Sequence, residues 1–497
     1  MTTLVRAGWA NWTVLAAGIS LAGFACSPSP VPPAQTGGSS GVGGNPLPGT
    51  GGTIGGVGGA PATGGSPTGT GGGSGGSGGS GPSTGGDAAT GGGVSTGGSA
   101  TGGSGSGLSF ESYNPDFKEF VGEDCELPDS ELLSPASHEL PDPFLKPDGS
   151  RISSMSEWAC QRAWLKKNIE SHVYGEKHGK PASVTGTVSS TSINVQIEGG
   201  ATYTVSVSLP PGASGPVPGM FRAENSGVPI NFLHDEGVAV LNYTHASAES
   251  AFNTVNGSAG SDPIKWAWAV SRAIDVLVDQ AAAGQNDIID PKALGTTGCS
   301  FAGKSAFVVG AFDERIALGI PQESGSGGLA SYRVIGDGDL GPNVSGENDP
   351  EAVSAVCSQG WFSGTVCNGN VDSVPADAHF MVAMYAPRGF TTLDNNRIGH
   401  LSPVAQYTAA AAGAEVFKAF GLESNVGYHG GNDDDPHEHC QFYPSQEDTA
   451  RKAIRGFLTK TEPPANFMEP KLKNEKDEPV DWALEDYIGW DTPALAP

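Results

Sequence analysis

The stretch "GTTGCSFAGKSAFVVGAFDERIALGIPQESGSGG", residues 295–328, decides the fold. With the residues just before it, "KALGTTGCS" reads as a buried strand that ends in a turn of small residues at Ser300. "KSAFVVGAFD" then reads as a helix and "RIALGIPQE" as the next strand. Strand, sharp turn, helix and strand in so short a span require a sheet whose neighbours run parallel and whose two faces are both covered.

The same alternation continues outward. "GVAVLNYTH" is a short apolar strand, "PIKWAWAVSRAIDVLVDQAAAG" a helix, "HFMVAMYAPRGFTTLDN" a helix and a strand, and "SQEDTARKAIRGFLT" a closing helix. Upstream, "SEWACQRAWLKKNIESHVYG" has helical spacing and ends at a glycine, while "ASVTGTVSSTSINVQIEGGATYTVSVSLP" alternates as antiparallel strands broken at Gly199 and Gly200. The expected fold class is α/β: a three-layer sandwich around a mostly parallel central sheet, preceded by antiparallel strands.

The 497 residues would suggest about three domains by length, but the 76 glycines are concentrated near the N-terminus. Residues 26–107 are Gly, Ser, Thr, Pro and Ala with almost no large apolar side chain, so they cannot offset their chain entropy and are expected to form a flexible linker. Residues 1–25 have Arg6, an apolar run and a small residue before Cys26, the layout of a secretory signal. "GFAC" also resembles a bacterial lipobox, with Gly23 where leucine is usual, so Cys26 is either a lipidated membrane tether or the chain is cleaved and released. Residues 108–465 are assigned to a catalytic domain and 466–497 to a C-terminal extension that either wraps the domain or stays mobile. A secreted or surface location and a monomer are expected.

A formal charge of −27, from 53 acidic against 26 basic residues, repels phosphate backbones, and nucleic-acid binding is excluded as a function class. Export implies an oxidising compartment, in which the six cysteines other than Cys26 should pair; fifteen connectivities satisfy the count alone.

A serine hydroxyl becomes a nucleophile only when a base takes its proton and an acid orients that base. In α/β-hydrolases such a serine sits on a strand-to-helix turn flanked by small residues, and the next backbone N–H faces the developing oxyanion. Gly298, Ser300, Ala302 and Gly303 provide that setting, although Ala302 departs from G-x-S-x-G and an ordinary turn has similar residues. The base belongs on a loop late in the chain, where "DDDPHEHCQF" offers His437 and His439. Either could instead lie on the surface or, with Asp433, Asp434 and Asp435, bind a metal; no metal is assigned. Cys299 precedes Ser300 and Cys440 follows His439, so a bridge between them would join nucleophile and base and select His439.

At these residues the chain resembles the glucuronoyl esterases, carbohydrate esterase family 15, which cleave lignin–carbohydrate esters. "GCSFAGK", "RIALGIPQESGSGG", "APRG" and "HCQF" stand in the family's order, and "LPDPF", "EWACQRAW" and "WAWAVSRAIDVL" match upstream, so the resemblance spans about residues 125–460. It implies Ser300 as nucleophile, His439 as base and Glu323 as acid; Asp394 in "TLDNN", after a later strand where many α/β-hydrolases keep their acid, is the runner-up. It further implies bridges Cys125–Cys160 and Cys299–Cys440, which leaves Cys357 and Cys367 to close a local loop. Lys304 matches a lysine that contacts uronate hydroxyls, and Glu347 in "SGEN" an acid that binds the same sugar. Trp361 in "GWFSG" is read as a core residue rather than a platform.

Two departures bear on rate and substrate. The arginine that follows the serine in the family is Phe301 here, leaving the Phe301 backbone N–H for the oxyanion. "NNRIGHLSP", containing His400, stands where fungal members carry a tryptophan. The expected activity is cofactor-free serine hydrolysis of (4-O-methyl-)glucuronate esters in glucuronoxylan or lignin–carbohydrate material. The alternatives are an esterase for acetyl or cinnamoyl esters with Phe301 as an apolar wall, and a non-catalytic carbohydrate-binding protein.

Overall fold

The computed structural model describes residues 109–129, 138–337, 351–436, 438–474 and 476–497. The expected signal, linker and Cys26 lie outside the described residues, as do His437 and Glu347. No helix among the described residues is long and apolar enough to cross a membrane.

Ten strands build one sheet: Val184–Val188 (β1), Ser192–Ile197 (β2), Thr202–Ser208 (β3), Val217–Ala223 (β4), Ala239–Tyr243 (β5), Ile289–Cys299 (β6), Ile316–Gln322 (β7), Gly389–Leu393 (β8), Val426–His429 (β9) and Met468–Glu469 (β10). Their order is β1-β2-β3-β5-β4-β6-β7-β8-β9-β10. The pairs β1/β2, β2/β3 and β3/β5 are antiparallel, and every pair from β5/β4 to β9/β10 is parallel. The antiparallel start and parallel body agree with the sequence reading. The change of pattern has a simple cause: β1 to β3 alternate buried and exposed residues, whereas β7 and β8 are buried at every position.

One face is covered by the helices Trp158–Ile169, Asp262–Ala282, Phe301–Phe312, His379–Tyr385 and Pro403–Ala419. Asp262–Ala282 buries Trp266, Trp268, Ile274 and Leu277, and each such side chain contributes about 1.5–3 kcal/mol on burial. On the other face Ala450, Ala453 and Ile454 of the helix Pro444–Phe457 pack with Met220, Leu318 and Ile320. The helix Phe301–Phe312 lies so close to β7 that a Cβ on Gly303 would stand 2.4 Å from the Gln322 carbonyl oxygen.

Several elements had no clear signal. β4, central in the sheet, contains Pro218 and Gly219, and its register against β6 shifts between Val217 and Gly219. Proline at such an irregularity is tolerated, but it hides the strand. The helices His245–Asn256 and Pro403–Ala419 and the short β9 likewise carry no clear signal in the sequence.

Beyond the helix Pro444–Phe457 the chain runs along the domain. β10 extends the sheet edge, Trp482 packs on Tyr407 with ring centroids 4.5 Å apart, and the Trp490 indole N–H donates to the Leu140 carbonyl at 3.0 Å.

Candidate active site

Ser300 directly follows β6 and caps the helix Phe301–Phe312 with φ 55° and ψ −122°. An L-residue held there stores strain, as a nucleophile elbow does. Neighbouring bonds hold the turn: the Ser300 N–H donates to the Gln322 carbonyl at 3.0 Å, and the Lys304 N–H donates to the Ser300 carbonyl at 2.9 Å. Tight packing demands small residues here, since a Cβ on Gly298 would lie 2.1 Å from the Ala302 carbonyl oxygen. The loop after β4 seats on the same turn: the Cys299 N–H donates to Ser226 Oγ at 3.2 Å, and Gly227, with φ +94°, rests against Gly298. The contact of this loop with the turn is unmarked in the sequence. Phe301 provides the first helical N–H, which has no acceptor within its own helix.

Glu323 follows β7 directly, at φ 46° and 0% exposure. One of its oxygens, Oε2, accepts from His439 Nδ1 at 2.6 Å and from the Cys440 backbone N–H at 2.7 Å. With Nδ1–H directed at the carboxylate, the lone pair of the neutral imidazole is on Nε2. Burial raises the Glu323 pKa, and the hydrogen bond and charge of His439 pull it back only in part. The Cys299–Cys440 bridge, with Cα atoms 5.5 Å apart, fastens the histidine loop to the residue before Ser300. Cys125–Cys160 and Cys357–Cys367 are the other two bridges, as read from the sequence.

Asp394 directly follows β8, and its carboxylate is engaged elsewhere than the His439–Glu323 pair. Its carboxylate accepts from the Tyr428 hydroxyl at 2.8 Å and from Gln406 Nε2 at 2.9 Å. Burial pushes its pKa up to about 7, against the Tyr428 bond and with the charge of Glu323 adding to the rise. Gln406 Oε1 in turn accepts from the Gly325 N–H at 2.9 Å, so Asp394 supports the loop that carries Glu323. The residues Cys299, Glu323, His439 and Cys440 cluster within 4.8 Å, but both sulfurs are bonded in the disulfide, which leaves no thiolate for a metal. Asp433 is instead paired with Lys473 at 2.6 Å.

Lys304 is 0% exposed, and its ammonium donates to the Ser324 carbonyl at 2.7 Å and to Glu351 Oε2 and Oε1 at 2.9 and 3.2 Å. Its three protons therefore have acceptors, and the group of this pair that meets solvent is Glu351, 21% exposed. Sequence reasoning missed Glu351 because the chain around Glu347 is a poorly patterned insertion. Trp361, read as core, is half-buried and lies over Lys304, 4.6 Å from Nζ to the ring centroid. Phe301 packs against Trp361, Trp266 and His245 at 5.2, 4.6 and 4.7 Å. His400 is buried and edge-on to His439, 5.5 Å between centroids.

Comparison with known proteins bears on this arrangement. A family model described as glucuronyl esterase, fungi, matches residues 193–421. A 4-O-methyl-glucuronoyl methylesterase of Neurospora crassa is 34% identical over 378 residues, covering 73% of this chain and 90% of the relative. The chain belongs to the glucuronoyl esterase family. The glucuronoyl esterase catalytic domain of Hypocrea jecorina superposes with a TM-score of 0.63 at 27% identity, over 74% of this chain and all of that one. A serine-to-alanine mutant of the Sporotrichum thermophile glucuronoyl esterase, in complex with methyl 4-O-methyl-β-D-glucopyranuronate, superposes with a TM-score of 0.64 at 30% identity, over 75% of this chain and all of that one. The glucuronoyl esterase resemblance and the α/β-hydrolase fold drawn from the sequence are thus both correct.

Proposed function

We propose that the protein is a serine esterase that hydrolyses esters of (4-O-methyl-)glucuronic acid, as found in lignin–carbohydrate esters of glucuronoxylan. The observation that carries this reading is the His439–Glu323 hydrogen bond at 2.6 Å on a loop bridged to the residue before Ser300. The complex of the Sporotrichum thermophile relative with a methyl glucuronate supports the acyl group.

In this mechanism His439 Nε2 takes the Ser300 proton as Oγ attacks the ester carbonyl, and Glu323 stabilises the imidazolium that results. The Phe301 N–H, assisted by the loop after β4, faces the oxyanion. The imidazolium passes its proton to the departing alcohol. Water then adds to the acyl-enzyme, giving a proton to His439 that returns to Ser300 as glucuronic acid leaves. Glu351, held by Lys304, is the acceptor for a sugar hydroxyl, and no metal or organic cofactor takes part.

Residues 1–25 direct export and residues 26–107 form a linker, ending either in a lipid tether at Cys26 or in a released protein, with residues 108–465 as the catalytic domain. A second reading, hydrolysis of acetyl or cinnamoyl esters, is favoured by the aromatic surface at Phe301. A panel of benzyl glucuronate, phenyl acetate and methyl ferulate separates the two. Serine-dependent turnover of the glucuronate with the highest kcat/KM is expected; rapid cleavage of acetate without glucuronate turnover would overturn the first reading.

A further inference from the structure

The C-terminal extension backs the loop that carries His439. β10 pairs with Tyr428 and His429, and the Gly430 N–H donates to the Glu469 carbonyl at 2.9 Å. Backbone meets backbone there: a Cβ on Gly430 would stand 2.0 Å from the Pro470 carbonyl oxygen. Two lysines continue the contact. Lys471 Nζ donates to Asn432 Oδ1, and Lys473 Nζ pairs with Asp433 at 2.6 Å and with Asp477 at 3.3 Å. Asp477 also pairs with Arg397 at 2.6 Å, and the Lys471 carbonyl accepts from Asn396 Nδ2, so the loop after β8 is tied to the same segment.

Further along, the extension backs the acid. Val480, Trp482 and Tyr487 pack on the cluster that contains Ala330, Val334 and Val404. The Trp482 indole N–H donates to Thr408 Oγ1 at 3.0 Å, and its ring lies against Tyr407, which is edge-on to Tyr428 at 5.1 Å. Tyr428, Asp394 and Gln406 lead from there to the Gly325 N–H, two residues after Glu323. The Cys299–Cys440 bridge holds the base loop next to His439, and Lys473 holds it near its start.

We propose that the C-terminal extension is the outer brace of the catalytic pair, with Lys473 and Trp482 as positioning residues, the first for the base loop and the second for the acid loop. A proton relay tolerates little misplacement, and loops hold such geometry less well than strands unless their outer contacts are fixed. The proposal rests on the reading of Ser300, His439 and Glu323 as a triad.

The test uses the full chain. Lys473→Met keeps the stem and removes the charge. It is expected to lower kcat on benzyl glucuronate about three- to tenfold with KM unchanged, as a small displacement of a catalytic group does. Asp433 is 63% exposed, and so open an ion pair adds little to global stability, so the urea midpoint should stay at the wild-type value. Lys473→Arg, which retains the charge, should recover most of kcat. Hydrogen exchange should quicken at Gly431 and Asn432 in Lys473→Met, with β6 and β7 unaffected. Trp482→Leu should do the same at Gly325, and Trp482→Phe less so; the Lys473 variants keep the proposal falsifiable if Trp482→Leu does not fold. Unchanged kcat or unchanged exchange at Gly431 and Asn432 in Lys473→Met overturns the brace, as does a loss of kcat matched by an equal loss of stability. Absence of Ser300-dependent turnover in wild-type protein overturns the triad reading instead, and the brace of a catalytic pair with it.

Discussion

In the proposed mechanism, rate depends most directly on Phe301 and Glu323. On that proposal Phe301 gives the oxyanion a backbone N–H but no side-chain donor, and the loss of one such donor typically costs about 10²–10³ in turnover. Phe301→Arg should raise kcat on benzyl glucuronate by about tenfold or more; an unchanged kcat would mean that the loop after β4 already completes the oxyanion site. Glu323 fixes the Nδ1–H tautomer of His439, so Glu323→Gln should reduce kcat by about 10³–10⁴ with little change in KM. Should kcat survive that change while Asp394→Asn abolishes it, the acid would be Asp394. Ser300 and His439 were legible in the chain because each adjoins a cysteine, whereas Glu323 followed only from the family resemblance of "PQESGSGG". Glu351 and Trp361 were not legible, since a carboxylate or an indole in a loop acquires meaning only when a folded neighbour such as Lys304 is known.

At the scale of elements, the elbow depends on close approach of backbone. A side chain at Gly303 would meet the Gln322 carbonyl, part of β7 and unable to yield. Gly303→Ala should therefore destabilise the protein by about 1–3 kcal/mol, measured by urea denaturation, and reduce activity by shifting Ser300. The Cys299–Cys440 bridge spans 141 residues and joins the elbow to the base loop. Cys299→Ala/Cys440→Ala should cost roughly 2–5 kcal/mol of stability and lower kcat more than KM under conditions where the variant remains folded. The parallel crossover around β6 and β7 was readable because the buried end of β6 and the fully buried β7 flank an apolar helix. β4 was not, because Pro218 and Gly219 interrupt its pattern at a place where the sheet itself is irregular.

Across the whole molecule, Asp394 links stability to pH. Its folded pKa is raised to about 7, against an ordinary value of 3.8, by burial behind the Glu323 loop. Between about pH 4 and pH 7 the folded protein holds this proton while the unfolded chain has released it. The native state then binds more protons than the unfolded state, so this group's contribution to stability falls as pH rises through that window. Asp394→Asn should flatten the decline, with a Tm that gains on wild type as pH rises from 5 to 8; parallel Tm curves would remove Asp394 from the account. The same carboxylate, through Gln406 and Gly325, supports the loop that carries Glu323. That support could not be read from periodicity, since it runs through side chains remote in sequence.

The account turns on a covalent intermediate at Ser300, and rapid-quench peptide mapping during turnover of benzyl glucuronate tests it most directly. A glucuronoyl group should be found on the peptide containing Ser300, and neither label nor turnover should remain in Ser300→Ala. Turnover that persists in Ser300→Ala, or an acyl group mapped to another residue, would contradict it.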